Sequence, residues 1–190
     1  MGSLRQTAAR DRLRVCPEDR AEVEFGEVYA RHYDAAWRCL RALGVPPDAI
    51  DDATQDVFMV VMRRLPAFDH AAPVRSWILG IARNMALKYR DRQRRAAPRL
   101  ALVPAEPPAP EDVVARRDAA AVVERFLDSL DADQRAVFVL AQLEGSSVAE
   151  VAQILGINLN TAYSRLRLAR RRFERVVARA EAARHRRPHE

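Results

Sequence analysis

The sequence has 190 residues, of which 49% are hydrophobic and 31% are charged. This balance supplies enough apolar material for a buried core and excludes a chain that is disordered throughout. Two cysteines are too few for a disulfide framework or a zinc site, and no apolar run reaches membrane-spanning length. We therefore expect a cytoplasmic protein without membrane insertion, metal or cofactor. Six glycines and 6% aromatic residues disfavour β-rich folds, so the expected fold class is all-α.

Basic residues outnumber acidic ones by 32 to 26, which gives a formal net charge of +6. Every basic residue except Lys88 is an arginine. Arginine presents a rigid fork of donors that fits phosphate groups and base edges, although biased codon usage gives the same excess. The arginine excess is compatible with a nucleic-acid partner and does not by itself establish one.

Two helices are predicted in the first part of the chain. An apolar stripe at three- and four-residue spacing starts at Phe25 and ends before Gly44. The next helix is expected to start with Asp48 as its N-cap and to end at Pro66.

A third helix follows the loop 68–73. Its inner stripe consists of Val74, Ile78, Ile81, Met85 and Tyr89. Leu79 and Leu87 fall outside this stripe, which leaves them for another element to cover. The outer face is basic and polar and carries Arg83, Asn84, Lys88, Arg90 and Arg94.

A proline-rich segment separates two halves of the chain. Four prolines lie between positions 104 and 110, and proline cannot continue a helix. Two small helical domains joined by a linker are therefore expected. The predicted divisions are a flexible tail 1–20, a first domain 21–95, a linker 96–111, a second domain 112–178 and a basic tail 179–190.

The second half carries a helix-turn-helix pattern. Asp131 and Gln134 predict the start of one helix, and Ser147 and Glu150 form a capping box that opens another. Gly156 then supplies the positive φ of a tight turn, and a further helix is expected to begin near residue 160.

That last helix has the composition of a recognition helix. Polar and arginine side chains lie opposite its apolar stripe, where base edges and phosphates would be contacted. The exposed face carries the candidates for duplex contact Tyr163, Ser164, Arg167, Arg170 and Arg171, flanked by Asn160, Thr161 and Arg165. A helical hairpin with a solvated basic face remains the alternative.

An acidic cluster lies on the predicted second helix. Asp51, Asp52 and Asp56 lie on its exposed side, with Gln55 among them. These acids have three interpretations. They complement the helix dipole, they form a docking surface for a basic partner, or Asp52 and Asp56 hold a metal together with His32. Residue types alone leave these three interpretations open.

An aromatic residue beside the basic helix has two interpretations as well. Trp77 lies at the edge of the apolar stripe of the third helix. It either packs in the core or stacks on an unpaired base next to the basic face.

The motifs together resemble those of one family. Asp51–Phe58 (DDATQDVF), Phe68 and Arg75–Asn84 (RSWILGIARN) resemble region 2 of the sigma-70 family of bacterial RNA polymerase sigma factors. Val148–Ile157 (VAEVAQILGI) and Asn160–Leu166 (NTAYSRL) resemble region 4. With no room for a region 3 domain, the chain looks like the extracytoplasmic-function (ECF) subgroup.

This resemblance implies a polymerase specificity subunit that initiates transcription of a stress- or signal-response regulon. Asp52, Gln55 and Asp56 would dock on the beta-prime clamp helices, and the second domain would contact the beta flap. An anti-sigma factor is the expected regulator. The residues implied in reading and melting the minus-ten element are Phe68, Asp69, His70, Trp77, Arg83, Asn84 and Lys88. Asn160, Thr161, Ser164, Arg165, Arg167 and Arg171 would contact the minus-thirty-five element.

Two other functions are weighed against this one. A stand-alone helix-turn-helix regulator would leave the acidic helix and the Trp77 helix without a role. A metal-dependent phosphohydrolase would need a nucleophile, a base or a phosphate-binding loop, and the sequence offers none. The chain is therefore not expected to be an enzyme.

Overall fold

The computed structural model describes residues 24–95 and 111–185, and within these ranges all regular structure is helical. The expected all-α fold is confirmed. The predicted N-terminal tail and nearly all of the predicted linker lie outside the described residues. The helices are α1 (Phe25–Ala42), α2 (Ile50–Arg64), α3 (Val74–Arg95), α4 (Glu111–Asp128), α5 (Ala132–Phe138), α6 (Val148–Leu155) and α7 (Leu159–His185).

Helices α1, α2 and α3 pack against one another in the first domain. Their core is built from small and branched side chains, including Ala36, Leu40, Val57 and Ile78, all of which are buried. Because the side chain of Ala36 is small, the helix axes can approach closely, and the core is densely packed.

The start of α2 differs from the predicted cap. Asp48 lies inside a short 3₁₀ turn, Pro47–Ala49, and Ala49 precedes α2 without a side-chain cap. Pro47 takes the first position of this turn, where its fixed φ and missing N–H are tolerated, so Asp48 lies inside the turn rather than ahead of α2. The prediction of Asp48 as the N-cap is therefore wrong.

The buried face of α3 also differs from the predicted stripe. Leu79 and Ala82 are fully buried, whereas Val74, Ile81 and Met85 are only partly buried. The cause is that α3 contacts α1 and α2 on one side and α6 of the second domain on another. A helix packed on two sides does not show one narrow apolar stripe.

Helices α4 to α7 form the second domain around an aromatic cluster. Phe126 is fully buried, and its ring meets Phe138 and Phe173 at centroid distances of 4.8 and 5.0 Å. Between α5 and α6 the chain makes a π-helical turn, Val139–Leu143.

The predicted helix-turn-helix is confirmed in its local geometry. Ser147 and Glu150 form the capping box of α6, with both reciprocal hydrogen bonds present. Gly156 ends α6 with a φ of 63°, a left-handed conformation that favours glycine. The start of α7 is capped by Asn158, whose Oδ1 accepts from the backbone N–H of Thr161 at 2.7 Å.

Candidate nucleic-acid interface

Aromatic rings gather at the start of α3. The Phe68 ring lies 4.6 Å from that of Trp77 and 4.7 Å from that of His70, measured between centroids. Asp69 supports the loop, because its Oδ1 accepts from the backbone N–H of Ala71 at 3.1 Å. Phe68 and Trp77 are both half-buried, so each ring is supported on one side and accessible on another. Such a cluster suits stacking with an unpaired base.

His70 has a backbone conformation that L residues seldom adopt, with a φ of 56°. Its side chain is exposed, so the conformation rather than burial determines which residues fit. We expect His70→Val to lower the free energy of unfolding by about 1–2 kcal/mol, because a β-branched residue is strained there. His70→Asn, which tolerates this region, is the matched control and should change it by less than about 0.5 kcal/mol. Urea denaturation measures both, and equal stabilities would contradict the prediction.

The basic face of α3 is divided into an open part and a covered part. Asn84 and Lys88 are exposed and lie one helical turn apart. Arg83 is half-buried, and its Nη1 donates to Asn84 Oδ1 at 3.0 Å while its Nε is buried without a hydrogen-bond partner. The sequence predicts all three on one outer face; in the structure Arg83 lines a narrow cleft against α5.

The acidic cluster on α2 is mostly open. Asp52 and Gln55 are exposed, whereas Asp56 is half-buried and its Oδ2 accepts from the Tyr89 hydroxyl at 3.1 Å. Burial and the adjacent Asp56 raise the pKa of Tyr89, so its hydroxyl stays protonated and donates. The described part of the chain holds no group of three side chains placed to share a metal, which leaves His32 outside this cluster.

Apolar side chains extend this acidic surface, and the sequence analysis missed them. Met59 and Met62 on α2 are 44% and 45% exposed. Tyr29 of α1 is exposed as well and packs edge-on against Phe58 at 4.7 Å. The available signal was the spacing, because Gln55, Met59 and Met62 follow one another at helical intervals off the buried stripe. Exposed methionine and aromatic side chains are enriched at protein interfaces, so this surface is a candidate docking surface.

The exposed side of α7 carries a polar stripe. Asn160, Ser164, Arg167 and Arg171 are all exposed, and their spacing of four, three and four places them on one face. Their side chains are free to enter a major groove.

Two other candidates on α7 are engaged within the domain. Thr161 is half-buried next to the cap. Arg165 is half-buried and forms an ion pair with Asp133 of α5, with 2.7 Å between Nη2 and Oδ2. Arg165 therefore ties α7 to α5. Tyr163, which is 55% exposed, lies on the open side instead.

No helix within residues 24–95 and 111–185 is both long enough and apolar enough to cross a lipid bilayer.

Comparison with known proteins identifies both domains. The family model for Sigma-70 region 2 matches residues 28–96, and that for Sigma-70, region 4, matches residues 120–173. The RNA polymerase sigma factor CnrH of Cupriavidus metallidurans is 32% identical over 167 residues, covering 80% of this chain and 86% of CnrH. The ECF RNA polymerase sigma factor SigM of Mycobacterium tuberculosis is 34% identical over 160 residues, covering 80% of this chain and 76% of SigM.

Solved structures agree with this assignment. CnrH in complex with the cytosolic domain of CnrY superposes with a TM-score of 0.63 at 29% identity, covering 81% of this chain and 87% of CnrH. The sigma factor RpoE of Bartonella quintana, solved with the anti-sigma factor NepR, shares the fold with a TM-score of 0.64 at 23% identity, covering 81% of this chain and 96% of RpoE. The chain belongs to the sigma-70 family, as an RNA polymerase sigma factor of the ECF subgroup.

Proposed function

We propose that this sigma factor docks on core RNA polymerase through α2, reads and melts the minus-ten element with the start of α3, and reads the minus-thirty-five element with α7. The observation that carries the proposal is the aromatic cluster of Phe68, His70 and Trp77 beside the exposed Asn84 and Lys88. Aromatic rings next to basic and polar groups are suited to binding single-stranded DNA. A protein that binds only duplex DNA would not need such a cluster.

The docking step uses the acidic surface of α2. Asp52 and Gln55 are free to contact a basic partner, and Asp56 is held in place by Tyr89. The exposed Met59 and Met62 add apolar area beside these groups. The beta-prime clamp helices are the proposed partner, and the beta flap is the proposed partner of the second domain.

The melting step exchanges stacking in DNA for stacking on protein. Extruding a base costs a few kcal/mol, and the cluster of Phe68 and Trp77 offsets part of that cost by offering aromatic faces. Asp69 fixes the loop, while Lys88, Asn84 and Arg83 would contact the strand backbone. The role is one of binding and positioning, and no catalytic residue is assigned.

The recognition step uses the exposed stripe of α7. Asn160 and Ser164 are suited to base edges, and Arg167 and Arg171 to guanine or phosphate. Thr161 and Arg165 would add DNA contacts beside this stripe. Arg165 would have to break its ion pair with Asp133 before it could contact DNA.

We expect Arg167→Ala to weaken binding at the minus-thirty-five element by about 1–3 kcal/mol if this arginine reads a base. The measurement is fluorescence anisotropy with the cognate duplex and with single-base variants. A uniform loss on every sequence, with a shallower dependence on salt, would contradict base reading and assign a phosphate contact. Arg179→Ala, farther along α7, is the matched control for loss of one positive charge.

Run-off transcription with core bacterial RNA polymerase and genomic promoter DNA tests the function as a whole. Transcripts that depend on this protein are the expected result, and their aligned start sites would give both promoter elements. Duplex binding without transcripts would instead favour a stand-alone helix-turn-helix regulator.

A regulatory partner is part of the proposal. CnrH was solved in complex with the cytosolic domain of CnrY, and RpoE in complex with the anti-sigma factor NepR, so an anti-sigma factor is the proposed partner of this chain. Release from such a partner would connect transcription to a stress or another signal.

A further inference from the structure

A cleft lies between the start of α5 and the middle of α7. Its volume is about 510 Å³, within the range of roughly 300–1,000 Å³ that small-molecule sites occupy. Neither the docking step nor the melting step proposed above uses this α5–α7 cleft, and of its lining residues Arg171 also belongs to the exposed stripe of α7. The lining side chains are Gln134 of α5 and Leu168, Arg171, Arg172, Glu174 and Arg175 of α7.

Positive charge is concentrated in the α5–α7 cleft. Arg171, Arg172 and Arg175 are exposed and lie within about one helical turn, which rises about 5.4 Å along the axis. Glu174 is the acidic residue among the lining, so three cations and one anion leave a net charge of +2. Among the side chains that the structure describes, none of the three arginines takes part in an ion pair. A multiply charged anion would therefore relieve the repulsion among them.

Two of the three guanidinium groups are held by backbone carbonyls. Arg172 donates through Nη1 to the carbonyl of Ser129, in the turn between α4 and α5, at 3.3 Å. Arg175 donates through Nε to the carbonyl of Arg171 at 3.2 Å. A guanidinium has five N–H donors, so each keeps four for a ligand. Paired N–H groups of arginine fit two oxygens of one phosphate, which makes phosphate the anion best matched to this cleft.

The remaining lining adds a polar and an apolar contact. Gln134 is half-buried, and in the described part of the chain its Oε1 is buried without a hydrogen-bond partner. The amide can therefore turn without breaking a bond at Oε1, and its Nε2 is a donor for a phosphate oxygen. Leu168 is 47% exposed and offers an apolar surface to a ribose or a base.

We propose that the α5–α7 cleft binds a diphosphate group, either as free pyrophosphate or as part of a nucleoside diphosphate. A terminal phosphate carries about 1.5–2 negative charges at pH 7, whereas each phosphodiester of DNA carries a single one. The net charge of +2 in the cleft therefore matches a diphosphate better than one link of a DNA backbone. The diphosphate also has enough oxygens to accept from more than one arginine at a time.

Arg171 connects this ligand site to DNA binding. Its side chain lines the cleft and is also part of the stripe assigned to the minus-thirty-five element. A bound diphosphate would hold this guanidinium and place negative charge beside the stripe, so occupancy is expected to weaken duplex binding. This consequence rests on the function proposed for α7, whereas binding of the diphosphate itself does not.

Isothermal titration calorimetry of the full-length protein tests the site directly. The probes are pyrophosphate, adenosine diphosphate, inorganic phosphate and adenosine, all at the same ionic strength. We expect saturable binding of pyrophosphate and adenosine diphosphate, weaker binding of inorganic phosphate and none of adenosine. Tighter binding of adenosine diphosphate than of pyrophosphate would support a nucleotide as the ligand, and equal binding would support the free diphosphate. Absence of saturable binding, or equal binding of inorganic phosphate and pyrophosphate, would overturn the proposal.

Arginine variants locate the binding. We expect Arg175→Ala and Arg172→Ala each to weaken pyrophosphate binding by about tenfold or more, because each removes charged hydrogen bonds to the ligand. Arg125→Ala is the matched control, since Arg125 lies on α4 and its Nε also donates to the carbonyl one turn back at 3.2 Å. Equal pyrophosphate affinities of Arg175→Ala and Arg125→Ala would overturn the assignment to this cleft.

Duplex binding separates a ligand site from a contact with the DNA backbone. At constant ionic strength, we expect saturating pyrophosphate to weaken binding of the minus-thirty-five duplex by about fivefold, an effect that Arg175→Ala should remove. Weaker duplex binding by Arg172→Ala and Arg175→Ala on every sequence, without pyrophosphate binding by the unaltered protein, would overturn the proposal and assign these arginines to the backbone. A protein that binds pyrophosphate but never supports transcription would retain the ligand site and lose the proposed function.

Discussion

Replacing Asp56 with arginine is expected to abolish assembly with core RNA polymerase. The substitution puts a cation in the middle of the acidic surface of α2 and removes the carboxylate that Tyr89 orients. In the proposed docking, Asp56 pairs with a basic group of the polymerase, and losing one member of such a buried pair costs about 2–5 kcal/mol, so the dissociation constant should rise by two orders of magnitude or more. Titration of labelled protein with core polymerase measures the loss.

Two control variants make the result specific. Asp91→Arg makes the same charge change at an exposed position on α3 and should leave assembly unchanged. Tyr89→Phe removes only the hydrogen bond to Asp56, and we expect a loss well below that of Asp56→Arg. Unchanged assembly of Asp56→Arg, with duplex binding by α7 intact, would refute the docking role.

Phe126→Ala is expected to cause the largest loss of stability in the second domain, about 3–5 kcal/mol. The ring is fully buried and contacts two other rings, so its removal leaves a cavity and ends two aromatic contacts. Chemical denaturation followed by circular dichroism measures the free energy of unfolding.

Tyr163→Ala is the matched control, since it removes an aromatic ring that is 55% exposed on α7. We expect its stability to change by less than about 0.5 kcal/mol. A similar loss in both variants would mean that the Phe126 cluster is not the centre of the domain.

Features fixed by neighbouring residues were predictable from the sequence. The capping box of Ser147 and Glu150 and the turn at Gly156 involve residues a few positions apart, and the structure has both. The exposed stripe of Asn160, Ser164 and Arg167 follows from helical periodicity in the same way. The functional roles assigned to these residues stay predictions.

Features fixed by distant residues were not predictable. The half-buried state of Arg83 depends on α5, and the ion pair of Arg165 depends on Asp133. No local pattern indicates which arginines of a basic face will be covered by a second domain. The exposed Met59 and Met62 were missed although their helical spacing from Gln55 was visible in the sequence.

The number of residues in the π-helical turn Val139–Leu143 determines the direction of the side chain that follows it, and this number can be compared among relatives. Each residue of an α-helix advances the side-chain direction by about 100°, so the wider turn decides which way the residue after it points. Here that residue is Glu144, which points towards Arg75. A relative that lacks one residue in this segment would turn its carboxylate away from the first domain. An insertion or deletion there, visible in any alignment, would therefore distinguish chains able to form this ion pair from those that are not.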